Sequence, residues 1–210
     1  MARAVEKNLE NLHFPVAAGP LYMMVSKPRN RSPLASPEPT LPKDIHTLLR
    51  ESIEAIKLNI LVFGPQVTTL SADEPTRNLQ LKRKQIREEL EKLGHNPRYA
   101  EELVDPSLGN MMMQEELIMR EYDLIITLVG SPGSIMEASF IARNPQLAQK
   151  SQLFMDAAHT GGLVADGCRL AEELGAYFKE YVYPTDLVDC HLLSFVKERV
   201  AAAQKIRYLT

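Results

Sequence analysis

From residue 57 onward, short apolar runs alternate with amphipathic stretches, and this alternation constrains the fold more than any other feature of the chain. "KLNILVFG" (57–64), "DLIITLVG" (123–130) and "SQLFMDA" (151–157) are runs of strand length. A strand that is apolar on both sides is covered on both faces, as in a parallel sheet between helices. Between the runs, "TRNLQLKRKQIREELEKLG" (76–94) places Leu79, Ile86, Leu90 and Leu93 on one helical face, with Gly94 in the C-terminal cap position. Residues 110–122, 134–143 and 163–175 also read as helices. Weaker strands are expected near "HNPRYAEE" (95–102) and over "AYFKEYVYP" (176–184), and one long helix closes the chain from Asp186. The expected fold is α/β: a flavodoxin- or Rossmann-like parallel sheet of about five strands with helices on both faces.

The N-terminal part reads differently. "KPRNRSPLASPEPTLPK" (27–43) is rich in Pro and Ser, the composition of an extended linker. "DIHTLLRESIEAIK" (44–57) recovers a helical period, with Asp44 as an expected N-cap. The division is therefore an irregular arm and linker over 1–43 and an α/β domain over 44–210.

The net charge of −3 comes without a basic stripe, so direct nucleic-acid binding is not indicated. Cys168 and Cys190 lie far apart and show no metal-ligand spacing, which fits a reducing, cytoplasmic setting and suggests no metal site. No apolar run approaches the ~20 residues of a membrane span. The uncharged segment 12–26 is broken by Pro15, Gly19 and Pro20 and follows Glu6 and Glu10, which suits a secretory signal poorly.

In open parallel sheets ligands sit beyond the carboxyl ends of the strands, near the switch in strand order. That rule selects Phe63, Gly64 and Pro65 after the first strand, and "VGSPGSIMEASF" (129–140) after the strongest one. Ser134 and Glu137 have the S-x-x-E spacing of a capping box, with Ser134 as N-cap and Glu137 reaching back to it. The same residues stand where a helix N-terminus offers free N–H groups to an anion, and Gly133 permits close approach of a ligand. Ser131 belongs to the same turn. Asp156 and His159 follow the next strand in the Gly-containing loop "DAAHTGG", and Asp123 opens the strongest strand, where a turn carboxylate is the ordinary reading. Lys82 and Arg83 read as a solvated helix face; Met111, Met112, Met113 and Met119 read as core or gap-filling side chains.

"LNILVFGP", "RKQIREELEKLGH" and "EYDLIITLVGSPGSIMEASFIA" together resemble the nucleoside 2-deoxyribosyltransferase-like superfamily, over about residues 57–185. The resemblance is closest to members found as effectors in bacterial retron and related anti-phage systems, which carry a similar Asp–strand–"SPGS-x-x-E" core. It implies a flavodoxin-like enzyme of the N-glycosidic bond. Glu137 takes the place of the family's nucleophile at the anomeric carbon. Asp123 corresponds to the recurrent pocket aspartate, and Gly64 and Pro65 to the turn that lines the sugar and base. Ser131 and Pro132 stand where the transferases carry an acidic pair, so hydrolysis or a nucleotide-sized substrate is favoured over base exchange.

The implied activity is cleavage or transfer on a nucleotide, nucleoside or NAD, in a defence or toxin setting. No cofactor is called for, NAD entering only as substrate. Nicotinamide leaves NAD as a neutral molecule and needs no strong general acid. Two other readings stand beside this one: a non-catalytic nucleotide sensor, and a subunit that docks on a partner. "PGS-x-x-E" is also similar to the "PGG-x-GT-x-x-E" loop of cytokinin-activating phosphoribohydrolase-like proteins, but lacks its second glycine and its threonine. Leu187, Leu192, Leu193, Val196 and Val200 on the closing helix exceed what one sheet face is expected to cover, which suggests a homo-oligomer or a partner complex.

Overall fold

The computed structural model describes residues 43–159, 161–189 and 191–210. The expectations for the arm over 1–42, and those for Cys190, lie outside the described residues.

Five parallel strands form one sheet: β1 (Asn59–Phe63), β2 (Asn96–Tyr99), β3 (Leu124–Val129), β4 (Ser151–Asp156) and β5 (Tyr177–Tyr181), in the order β2-β1-β3-β4-β5. Helices alternate with them: α1 (Lys43–Glu54), α2 (Glu74–Lys92), α3 (Met111–Glu121), α4 (Pro132–Ile141), α5 (Pro145–Gln149), α6 (Leu163–Glu173), α7 (Thr185–Val188) and α8 (His191–Leu209). This is the flavodoxin-like strand order, and its switch point lies between β1 and β3.

Side chains alternate across each strand, so the sheet feeds two separate cores. Ile60, Val62, Leu124, Ile126 and Leu128 pack with Leu79, Ile86 and Leu90 of α2 and with Leu192, Leu193 and Val196 of α8. Leu61, Phe63, Ile125, Val129, Leu153 and Met155 pack on the other side with Ala138 and Ile141 of α4 and Ala165, Cys168 and Ala171 of α6. Every residue of β3 is buried. Small residues on α4 and α6 let these two helices lie close against the sheet.

Several expectations are corrected. The closing helix is interrupted: α7 ends at Val188, and α8 starts at His191. Leu187, Leu192, Leu193, Val196 and Val200 are all buried within this chain, because the two segments pack separately onto the same sheet face. On the same two helices Val188, Ile206 and Leu209 remain exposed. Met119 is in the core, but Met111, Met112 and Met113 are exposed at the start of α3. Leu93 is half exposed. Lys82 and Arg83 do not form a solvated face. Both are buried, and Lys82 Nζ donates to Asp189 O at 3.0 Å. Among the described residues, no helix is long and apolar enough to cross a membrane.

Candidate functional site

The switch point sets two turns side by side at the C-terminal edge of the sheet: Gly64–Pro65 after β1 and Gly130–Ser131 after β3. Both turns restrict their residues. Gly64 has φ +149°, and a Cβ there would stand 3.2 Å from both Arg83 Cδ and Leu128 Cβ. A Cβ on Gly130 would collide with Leu79 Cδ1. The ten residues between β1 and α2 return over this edge. Buried Gln80 pins them, donating to the carbonyls of Gln66 and Thr69 and accepting from Ser71 N at 2.8 Å.

The cap of α4 differs from the expected one. Ser131 is the N-cap, and its Oγ accepts from Ser134 N at 3.2 Å. Ser134, three positions on, closes the box: its Oγ accepts from Ser131 N at 2.9 Å and from Gly130 N at 3.0 Å. Pro132 initiates the helix one residue after Ser131. A Pro in the first turn has no N–H to satisfy, so the helix starts earlier than S-x-x-E suggests. Glu137 is thereby moved out of the capping positions and into the helix body. The capping account of this carboxylate is overturned.

Glu137 leans back along α4, as helical side chains do. Its Oε1 comes within 4.0 Å of where a Cβ on Gly133 would stand. The residue is 8 % exposed, and its Oε2 is buried with no hydrogen-bond partner. Its pKa is pushed up to about 8, chiefly by burial. The Glu115 carboxylate raises it further, the Arg83 guanidinium opposes this, and Glu101 adds a smaller upward push. A buried, unpartnered carboxyl is costly, and such groups concentrate at functional sites.

Arg83, Glu101 and Glu115 come from three different segments and were not among the sequence-derived site residues. Arg83 is 1 % exposed. Its guanidinium donates to Val62 O at 2.7 Å and Pro65 O at 3.1 Å, and pairs with both oxygens of Glu101 at 2.7 Å. It also lies over the Tyr99 ring, 4.3 Å from the centroid. Glu115, on α3, is half-buried, and its pKa is raised by burial and by Glu101. The acidic environment of Glu137 is therefore supplied by the segments after β2 and on α3, and not by the residues just upstream of it. The spacing from Arg83 to Glu101 to Glu115 to Glu137 carries no local motif, so no sequence signal links them.

The remaining candidates divide. Gly64, Pro65, Ser131, Gly133 and Ser134 surround the same edge as Glu137. Phe63 is fully buried in the core beneath that edge. Asp156 ends β4 on the same edge, but its carboxylate accepts from Ala158 N at 2.9 Å and closes its own turn. His159 is exposed, and its backbone N–H donates to the Asp156 carbonyl at 2.9 Å. Asp123 lies at the other end of β3. Six strand residues separate it from the Glu137 edge, roughly 20 Å at strand rise. Its Oδ2 accepts from Asn59 N at 2.8 Å and ties the starts of β3 and β1 together. The structure thus corrects the placement of Asp123 in the pocket. Among the described residues, no group of three or more His, Cys, Asp or Glu side chains is arranged to hold a metal ion.

No protein-family model matches the chain, and a search of curated proteins gives no significant match.

Proposed function

We propose that this protein cleaves or transfers an N-glycosidic bond of a nucleotide, nucleoside or NAD, with Glu137 acting at the anomeric carbon. The observation that carries this reading is the Glu137 carboxyl: buried, unpartnered at Oε2, and beside the α4 N-terminus at the strand-order switch. A structural carboxylate in that place would be hydrogen-bonded; a carboxylate reserved for a ligand need not be.

In the reaction, the bond from the sugar's anomeric carbon to the base nitrogen breaks, and its electron pair leaves with the base. The Glu137 carboxylate bonds to that carbon or offsets its developing positive charge. Water or an acceptor hydroxyl then takes the carboxylate's place, losing a proton. The raised pKa favours a cationic substrate. With the site empty, Glu137 is largely protonated at neutral pH. A pyridinium glycoside such as NAD brings a positive charge to the carboxyl and restores its anion on binding.

A nucleotide sensor without chemistry is the second reading. It is favoured by the same raised pKa, because a neutral carboxyl donates a hydrogen bond to a ligand and is a poor nucleophile. Incubation of the full chain with NAD, nucleosides or nucleotides, with chromatography of the released base, separates the two. Base release that disappears in Glu137→Gln supports the enzyme. Saturable binding of the same compounds without release supports the sensor.

A further inference from the structure

A polar cavity lies at the opposite, N-terminal edge of the sheet. It has a volume of about 450 Å³ and is bounded by the end of α3, the start of β3, α5 and the last turns of α8. Arg120, Lys150, Arg199 and Arg207 line it, against two carboxylates, Glu121 and Asp123.

Arg120 pairs with Glu116 and Arg207 with Asp123, whereas among the described residues Arg199 and Lys150 have no carboxylate within ion-pair distance. Arg199 is 5 % exposed. Its guanidinium stacks on the Tyr177 ring, 4.1 Å from the centroid, and one terminal nitrogen donates to Gln149 O. Its Nε is buried with no partner, and among the described residues it forms no ion pair. Lys150 is half-buried and donates to Arg120 O at 2.7 Å and Tyr122 O at 2.6 Å, both neutral acceptors. Burial lowers the pKa of both groups, opposed at Lys150 by the Asp123 and Glu121 carboxylates and at Arg199 by Tyr177. The nearby Asp123 is already engaged by Asn59 N at 2.8 Å and by Arg207 at 3.7 Å. A buried guanidinium without a carboxylate is unfavourable unless something else supplies the negative charge.

We propose that this cavity binds a small phosphate-bearing molecule, with Arg199 and Lys150 holding the phosphate and Arg207 closing over it at the rim. Arg199 has no carboxylate acting on it, Lys150 has only Asp123 and Glu121 beyond ion-pair distance, and the planar donor fork of Arg199 matches phosphate oxygens. The volume exceeds that of inorganic phosphate alone and is in the range of small-ligand sites, leaving space for an organic group beside Ala203 and Ile206. The length of β3 separates the cavity from Glu137, so an occupant here would act as a regulator or stabiliser and not as the substrate of the glutamate.

The test uses the full chain and inorganic phosphate, with ionic strength held constant by sodium chloride so that general screening does not change. Melting temperature is followed against phosphate concentration, and binding is measured by calorimetry. The expected result is a saturable rise in melting temperature. Arg207→Ala removes an exposed side chain and should keep the fold; it should weaken phosphate binding about tenfold, the worth of one charge-assisted hydrogen bond. Lys150→Met should weaken it at least as much, and Arg199→Met should abolish it if the variant folds. Absence of a saturable response in the wild-type chain overturns the proposal. So does an equal response in the wild type, Arg207→Ala and Lys150→Met. Neither readout depends on base release, so the result stands apart from the fate of the Glu137 reading.

Discussion

Arg83 grips Glu101 through two parallel hydrogen bonds of 2.7 Å, and the same guanidinium holds the carbonyls of Val62 and Pro65. One buried cation thus ties α2, the edge of β1 and the turn after β2 into the floor beside Glu137. Arg83→Met should lower stability by about 3 kcal/mol, the lower end for breaking a buried pair, because Glu101 is 32 % exposed and regains some water. Arg83 also draws the Glu137 pKa down, so its loss should move the acid limb of the activity profile to higher pH. Urea melts and pH–rate profiles check the two effects. An unshifted acid limb in a folded variant would separate Arg83 from the function of Glu137.

Glu137 should trade stability for function. Its folded-state pKa of about 8 lies above the ordinary 4.5, so the fold favours the neutral form. That contribution is fully present below about pH 4.5 and is lost as pH rises toward 8, by at most about 5 kcal/mol. Glu137→Gln cannot ionise. Its melting temperature should match the wild type near pH 4.5 and exceed it increasingly up to pH 8, while base release is lost. Thermal melts across that range give the answer. A constant difference between the two proteins would show that the carboxyl is not held neutral.

The α4 cap divides its work between two serines. Ser131→Ala removes one acceptor at the helix start and should cost about 1 kcal/mol. Ser134→Ala removes the acceptor for both Gly130 N and Ser131 N, and should cost more, up to about 3 kcal/mol. Both variants keep the carboxylate and should retain part of the activity. Denaturant midpoints in parallel with base release test the order. A Ser131→Ala variant less stable than Ser134→Ala would reverse the assignment of the cap.

Gly64→Ala should disturb the site from beneath. The residue has φ +149°, and its new Cβ would meet Arg83 Cδ and Leu128 Cβ at 3.2 Å. The strain of the backbone alone is on the order of 1–3 kcal/mol. The expected outcome is a destabilised protein whose activity falls further than that of Ser131→Ala at the same temperature. A wild-type melt would mean that the turn relaxes freely.

The alternation of apolar runs and helical periods determined the α/β class, the parallel sheet and the edge that carries the candidate site. These follow from local rules: period, strand length, and the position of Gly and Pro. The expectation of five strands survives, and the switch-point rule leads to Gly64, Pro65 and the Ser131–Glu137 turn without any contact information.

Tertiary structure decided what each of those residues does. Pro132 set the helix start one turn earlier than the S-x-x-E spacing implied, which took Glu137 out of the cap. Strand direction put Asp123 at the far edge from Glu137, although they are only fourteen positions apart. Arg83, in a charged helical stretch that reads as solvated, is buried because Glu101 and two strand-edge carbonyls compensate it from other segments. Periodicity reports which face of an element turns inward. It does not report which charges meet there, because electrostatic and hydrogen-bond partners are set by through-space distance, and the fold brings together residues that the chain keeps apart.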